Sequence, residues 1–460
     1  MKLAVIGGGS TYTPELADGI GRLLPQVEEL VLVDPDPDRR SVVGPVSARI
    51  MRAYGHPARV SWTTDLDAGI DGAGAVLLQL RVGGQAARQR DETWPLECGC
   101  IGQETTGAGG LAKALRTVPI VLDIADRARQ RDETWPLEFC CVGQETTGAG
   151  GLAKALRTVP IVLDIAERTR QRAASDAWII DFTNPVGIVT RALLDAGHRA
   201  IGLCNVAIGF QRNFARMLGV PAEQVALDHV GLNHLTWERA AIVDGVDRLP
   251  GLIATHGAEI AEHTGLPAGV LHEIGAVPSS YLRYFWAHDA VVEEEKHSPT
   301  RAQKVAEIEE LLLEMYADPA LDRKPGLLGQ RGGAFYSEAA VALLASLVND
   351  TGDTQVVNVR NAGTMPFLPD DAVIEVPAVI GAHGATPAPV APLSPLMRGL
   401  VGHVTGYEEL AVDAARRGGV QRVREALLAH PLIGQYELAG QLADRLVAEN
   451  QAFLPWASRS

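Results

Sequence analysis

The sequence predicts an α/β fold, with an alternating strand and helix domain built on a parallel sheet over residues 1–205 and a second, mixed α/β domain over 206–460. Three observations predict it. Short apolar runs alternate with amphipathic stretches in the first half, and each candidate strand closes on glycine or a polar residue. A glycine turn follows the first run directly, with an acid at the end of the next. After about Asn205 the pattern changes to longer helical stretches separated by irregular polar segments.

The elements follow in chain order. Lys2 to Ile6 is an apolar run ending in Gly7-Gly8-Gly9, and Glu15 to Leu24 reads as a helix with Pro14 near its start. Leu30 to Val33 is a second run, ending in Asp34. Ala75 to Leu80, Trp178 to Phe182 and Ile201 to Cys204 are further buried-strand candidates. Helical stretches are expected over Ala302 to Tyr316, Ser337 to Val348 and Tyr407 to Ala429.

The turn Gly7-Gly8-Gly9-Ser10-Thr11-Tyr12 carries two of the three glycines of a dinucleotide fingerprint, with Tyr12 at the third position. Gly7 and Gly9 permit a tight turn and close approach of backbone amides to a pyrophosphate, and the following helix amino terminus favours negative charge. Asp34 stands where a carboxylate accepts from a ribose hydroxyl and repels the extra phosphate of NADP. Strand context, turn and acid together predict NAD binding by a Rossmann-like first domain.

Composition sets the class. The chain has 460 residues, 47% hydrophobic and 21% charged, with a formal charge of −15. This describes a globular protein with ample core. The acidic balance argues against nucleic-acid and anionic-membrane surfaces, which need excess Lys and Arg. There is no run of 18 apolar residues, and the amino-terminal run is too short for a signal-peptide core, so the cytoplasm is the expected location. Five cysteines without a secretory signal point to free thiols.

Four of those cysteines lie in an internal duplication. Residues 88–128 (RQRDETWPLECGCIGQETTGAGGLAKALRTVPIVLDIADRA) are followed at once by residues 129–169, which match at 36 of 41 positions. Two copies are too few for a solenoid. The repeated Arg-Gln-Arg at the junctions offers ends for unequal crossing-over. Cys-Gly-Cys and Cys-Cys lack the spacing of zinc clips, so Cys98, Cys100, Cys140 and Cys141 read as incidental thiols.

Outside the repeat, Cys204 and His234 are a soft and a borderline metal ligand, each flanked by asparagine (Asn205, Asn233). A buried thiol and a satisfied histidine are the plainer readings of the same residues. Asn184, in Phe182-Thr183-Asn184-Pro185, reads as a substrate contact or as a turn residue before proline. Tyr281 reads as a catalytic phenol or as a core aromatic.

Taken together, the amino-terminal Gly-Gly-Gly-Ser, Arg81-Val82-Gly83-Gly84, Gly102-Gln103-Glu104-Thr105, Phe182-Thr183-Asn184-Pro185, Gly202-Leu203-Cys204-Asn205, Gly231-Leu232-Asn233-His234, Arg331-Gly332-Gly333-Ala334 and Val357-Asn358 resemble glycoside hydrolase family 4 over nearly the whole chain. The resemblance implies a glycosidase that depends on NAD and a divalent metal, usually Mn²⁺, with a fold similar to lactate and malate dehydrogenases. This family lies outside the two-carboxylate scheme of most glycosidases. It works by oxidation at C3 of the sugar, loss of the C2 proton, elimination of the aglycone, re-addition of water and reduction.

Carried over residue by residue, Gly7, Gly9, Ser10, Asp34 and Arg81 match the cofactor site, and Cys204 and His234 the metal ligands. Tyr281 matches the base, with Glu104 beside it. A phenol with a pKa of about 10 needs an adjacent cation to favour its phenolate. Asn184 and Asn205 match sugar contacts, while Arg88 and Arg301 match positions that hold a substrate 6-phosphate, for which a guanidinium fork is suited. Cys204-Asn205-Val206 resembles the 6-phospho-β-glucosidase branch, although Ala207 stands where relatives often carry proline. No side chain is assigned as general acid.

The duplication supplies Arg88 and Glu104 a second time, as Arg129 and Glu145. Copy one is expected to fill the site, with the extra segment entering between a helix ending near Ala128 and the strand at Trp178. The expected partner is a phosphorylated sugar and the expected assembly a homodimer or homotetramer. A hydroxy-acid dehydrogenase and a pseudoenzyme inactivated by the duplication are the competing functions.

Overall fold

The computed structural model describes residues 1–80, 149–297, 301–331, 335–451, 454 and 456–457. The apolar runs of the first half form β1 (Lys2–Ile6), β2 (Glu29–Val33), β3 (Arg59–Thr63), β4 (Ala75–Leu78), β5 (Trp178–Asp181) and β6 (Ala200–Gly202). All six are parallel, in the order β3-β2-β1-β4-β5-β6, which is the doubly wound order of dinucleotide-binding sheets. Strands at the centre of such a sheet are covered on both faces, hence their unbroken apolar sequence. All four residues of β4 are buried.

Helices α1 (Thr13–Leu23), α2 (Pro37–Ala53), α3 (Leu66–Ile70), α4 (Ala149–Arg172) and α5 (Val186–Asp195) cross between these strands. Proline lies in the first turn of α1 and of α2, where its missing amide costs nothing. Asp36 caps α2, its Oδ1 accepting from the amides of Asp38 and Arg39 at 3.0 Å each.

The sheet continues through β7 (Ala226–Leu232), β8 (Leu235–Val243), β9 (Val246–Asp247), β10 (Val277–Pro278), β11 (Asp353–Arg360), β12 (Val373–Gly381) and β13 (Gly384–Pro387). Antiparallel pairing of Asn358 with Gly202 joins β11 to β6, and the order runs on as β11-β12-β7-β8-β10. The change from parallel to antiparallel thus follows β6, and one 13-stranded sheet spans both halves of the chain. Flanking helices include α6 (Val206–Leu218), α7 (Arg301–Ala317), α8 (Tyr336–Asn349), α9 (Pro395–Arg417) and α10 (Val420–Leu428).

Two expectations change. The single helix expected over Tyr407 to Ala429 is broken at Gly418 and Gly419, which take φ of 67° and 101°, conformations that end a helix and that glycine alone adopts freely. The helix that enters β5 belongs to copy two of the duplication, not copy one. Residues Leu152, Ala155, Leu156, Val159 and Val162 of α4 sit in the core, and the Arg172 carbonyl accepts from the Gly72 amide at 2.9 Å. Both copies carry the same apolar face, but copy two is joined to β5 by residues 173–177 alone. No helix among the described residues is long and apolar enough to cross a membrane.

Candidate active site

The carboxyl ends of the parallel strands carry Gly7, Gly9, Asp34, Asn184, Cys204 and Asn205. At the end of β1 the amides of Gly7 and Gly8 both donate to the Val33 carbonyl, at 2.9 and 3.0 Å, which folds the chain sharply back. Gly7 has φ of 88°, and a Cβ on it would lie 2.6 Å from the Gln79 carbonyl oxygen. A Cβ on Gly9 would meet the Asp34 carboxylate carbon at 2.7 Å. Only glycine fits either place. Ser10 accepts from the Tyr12 amide through its hydroxyl at 3.2 Å, and α1 begins at Thr13, so the positive end of its dipole faces the turn.

Asp34 acts on the turn itself. Its Oδ2 accepts from the Gly9 amide at 2.8 Å and its Oδ1 from the Asp36 amide at 3.0 Å. Burial raises its carboxyl above the usual range, and those two amides act against the shift. Lone pairs remain on both oxygens for a ribose hydroxyl.

The second half of the chain clasps the same turn. Arg331 donates through Nε to the Thr11 hydroxyl at 2.7 Å and pairs with Glu309 of α7 at 2.7 Å. Thr11 in turn donates to Glu309 at 2.9 Å, and the Tyr316 hydroxyl donates to the Thr11 carbonyl at 2.7 Å. Arg39 bridges the Gly9 carbonyl and Glu309. Among these residues Gly9, Thr11 and Arg331 belong to motifs read from the sequence; Glu309, on an amphipathic helix, carried no signal that set it apart from a solvated acid.

Cys204 and Asn205 follow β6, with Asn205 immediately before α6. Cys204 is 5% exposed. Burial pushes its thiol up, reinforced by the charge of Glu375, while the Val206 amide and the hydrogen-bonding side chains of Tyr336 and Asn233 pull the other way. His234 lies in the tight turn between β7 and β8, with φ of 63°. Its ring stacks on Tyr281 at 3.6 Å between centroids and 8° between planes. Asn233, the residue next to His234, therefore reaches the Cys204 sulfur.

A cavity of about 530 Å³ opens beside this group, lined by Asn205, Tyr281, Phe210, Arg212, His263 and Phe335 among others. Arg212 pairs with Glu338 and lies over the Phe335 ring at 4.2 Å. Asn184 follows β5 at the same edge of the sheet, where Thr183 accepts from the Leu80 amide at 3.3 Å. Arg301 begins α7. Arg81, Arg88 and Glu104, with the alternatives Arg129 and Glu145, lie outside the described residues.

A buried polar network was missed in the sequence. His229 contacts Glu238 through Nδ1 at 2.6 Å and Glu375 through Nε2 at 3.1 Å, all three being at most 1% exposed. Burial alone would lower the imidazole pKa, but the two carboxylates outweigh it and push it up to about 10. The second Glu375 oxygen accepts from Asn233 at 2.9 Å and Asn358 at 2.8 Å. The available signal was an acid set within a strand-like apolar run, Val373-Ile374-Glu375-Val376.

No group of three His, Cys, Asp or Glu side chains suited to a metal ion occurs among the described residues. Cys204 and His234 offer one sulfur and one nitrogen, a donor set that suits a divalent transition metal whose other positions stay open to oxygen ligands. The buried Asn233 Oδ1 finds no partner among the described residues.

Residues 2–131 and 125–220 match the family 4 glycosyl hydrolase model, and residues 229–433 match the family 4 glycosyl hydrolase C-terminal domain. The two amino-terminal matches meet at the junction of the repeats. The chain is 34% identical over 473 residues to a probable 6-phospho-beta-glucosidase of Bacillus subtilis (strain 168), covering 99% of this chain and 97% of that protein. It is similar to the 6-phospho-beta glucosidase structure from Thermotoga maritima with manganese, NAD+ and glucose-6-phosphate, at 29% identity and a TM-score of 0.84, over 98% and 99% of the two chains. Malate dehydrogenase from Salinibacter ruber shares the fold, at 16% identity and a TM-score of 0.52, over 92% of this chain and 99% of that one. By its matches along both halves, the chain belongs to glycosyl hydrolase family 4.

Proposed function

We propose that this chain is a 6-phospho-β-glucosidase that uses NAD and a divalent cation, Mn²⁺ in the first instance, to hydrolyse phosphorylated β-glucosides. Residues 1–205 form its NAD-binding half and residues 206–460 its metal and substrate half. The observation that carries the reading is the His234 ring stacked on Tyr281 beside the buried Cys204, at the carboxyl edge of a dinucleotide-type sheet. The names of the similar proteins from Bacillus subtilis and Thermotoga maritima support the substrate class.

When bound, NAD⁺ would supply reversible hydride transfer, removed from C3 at the start and returned to it at the end, and a cation held by Cys204 and His234 would supply Lewis acidity toward the neighbouring sugar oxygens. The chain's own residues do the rest. Gly7 and Gly9 let the pyrophosphate approach the backbone closely, the amino-terminal dipole of α1 favours its charge, and Asp34 receives the ribose. Arg81 completes the cofactor site. Arg88 and Arg301 hold the 6-phosphate dianion, fixing which sugar enters and how it lies. Asn184 and Asn205 orient its hydroxyls.

Tyr281 takes the C2 proton through its phenolic oxygen, with Glu104 alongside, and its stack on His234 holds the ring in line. Elimination expels the aglycone from C1, water adds in its place, and the proton returns to C2. No net oxidation results. The enzyme works in the cytoplasm as a homodimer or homotetramer.

The test is release of a chromogenic aglycone from a 6-phospho-β-glucoside, with and without NAD⁺, Mn²⁺ and a thiol reductant. Turnover only with all present is expected, with solvent deuterium entering C2 in the native protein but not in Tyr281→Phe. Steady NADH accumulation would instead support a hydroxy-acid dehydrogenase, and no release under any combination would leave a protein inactivated by its duplication.

A further inference from the structure

Glu375 sits in the middle of β12 and joins three strands with one carboxylate. Its Oε1 meets His229 of β7, while its Oε2 accepts from Asn358 of β11 and from Asn233, at the end of the β7–β8 hairpin. Glu238 of β8 closes the far side on His229. All five side chains are fully or almost fully buried. Such a cluster could serve merely to fasten the antiparallel strands together.

Two features point further. The first is direction: Asn233, one of the groups Glu375 holds, also hydrogen-bonds Cys204 and is covalently next to His234. His234 has a positive φ, a strained setting for a non-glycine residue that its surroundings must maintain. The second is charge. An imidazolium between two carboxylates leaves a buried net negative charge, and no Lys or Arg pairs with Glu238 or Glu375 among the described residues. Isolated buried charge is strongly unfavourable unless compensated, and the side of the cluster toward Cys204 is where a cation would compensate it.

We propose that Glu375 is a positioning residue of the metal centre, which aligns Cys204 and His234 through Asn233 and supplies a buried negative charge behind the cation. The proposal rests on the reading of Cys204 and His234 as the metal ligands. Groups one step behind the ligands typically change metal affinity by about 10- to 100-fold when altered.

Glu375→Gln is the informative substitution. A glutamine can still accept from the two asparagines through its oxygen and donate to a neutral His229 Nε2, while Nδ1–H of His229 donates to Glu238. Packing and hydrogen bonds are retained, but the carboxylate facing Asn233 is lost together with the proton on His229, and the remaining negative charge sits on Glu238, on the far side of the cluster.

The experiment titrates the NAD⁺-loaded protein with Mn²⁺ alone and follows free Mn²⁺ by electron paramagnetic resonance, alongside NAD⁺ affinity and thermal unfolding. Glu375→Gln is expected to bind Mn²⁺ about 10- to 100-fold more weakly, with NAD⁺ affinity within about twofold of the native protein. Wild-type Mn²⁺ affinity in Glu375→Gln, with binding lost in Cys204→Ala, would overturn the proposal while sparing the metal assignment. Wild-type affinity in Cys204→Ala would overturn the metal assignment and the proposal with it. Should Glu375→Gln not fold, Glu375→Asp keeps the charge but withdraws the carboxylate by one methylene; at least about tenfold weaker Mn²⁺ binding is expected, and unchanged binding refutes the positioning role.

Discussion

Residues 108–131 and 149–172 are nearly identical in sequence, and whether they compete for one place in this core can be measured. Leu156 of α4 is 1% exposed, and truncating such a leucine to alanine costs about 2–5 kcal/mol. Its counterpart in copy one is Leu115. Only one of them can occupy the position. With copy two docked, residues 173–177 connect to β5 and residues 79–148 span back to β4. With copy one docked at 108–131, the connections are 132–177 and 79–107.

Closure entropy grows as (3/2)RT ln n, so one very short connection and one long one are favoured over two of middling length, here by about 1 kcal/mol. That gap limits the damage. Leu156→Ala should lower stability by only about 1 kcal/mol, since beyond that the unaltered copy-one sequence is expected to take its place. Leu115→Ala should have no measurable effect. The double variant should lose the full 2–5 kcal/mol, far more than the sum of the single effects. Urea midpoints at constant slope read all three. Loss of the full amount in Leu156→Ala alone would refute the exchange, and destabilisation by Leu115→Ala would refute the assignment of the core helix to copy two.

Gly9→Ala forces a methyl to within 2.8 Å of an Asp34 carboxylate oxygen, and it should weaken NAD⁺ binding at least about tenfold, or about 1.4 kcal/mol; unchanged affinity in a fluorescence titration would show that the turn does not approach the cofactor. His229 has a folded pKa raised to about 10 from 6.5, so its contribution to stability is complete below about pH 6.5 and is lost as pH rises through about 10. The native protein should therefore lose about a few kcal/mol more than His229→Gln between those limits. Parallel unfolding midpoints across that range would show that the imidazole carries no charge.

What the sequence made legible was the part governed by local rules. Gly7, Gly9 and Asp34 announced the turn because close backbone approach leaves few residue choices, and β1, β2, β4, β5 and β6 were visible as buried runs. The strands β7, β8, β11 and β12 were not. They carry His229, Glu238, Asn358 and Glu375 into the core, so their sequences look too polar for buried strands until the partners, up to 146 residues apart, are known. The break at Gly418 and Gly419 was readable from the dipeptide, but the apolar period on either side masked it. Cys204, His234 and Tyr281 could be weighed only through a family resemblance, because spacing along the chain says little about residues that three separate loops bring together.

The clasp of Arg331 on Thr11 spans 320 residues, which gives the protein an order of events during synthesis. At about 5–20 residues per second, roughly 15–65 s pass between the emergence of the glycine turn and that of the arginine that grips it. Over that interval the nascent amino-terminal half holds its turn with the Val33 carbonyl, Asp34 and Arg39, without the contacts from Glu309, Tyr316 and Arg331. The cofactor site is thus finished late, once α7 and Arg331 have arrived. A chain truncated before Arg331 would retain the strands of the site without its closing grip.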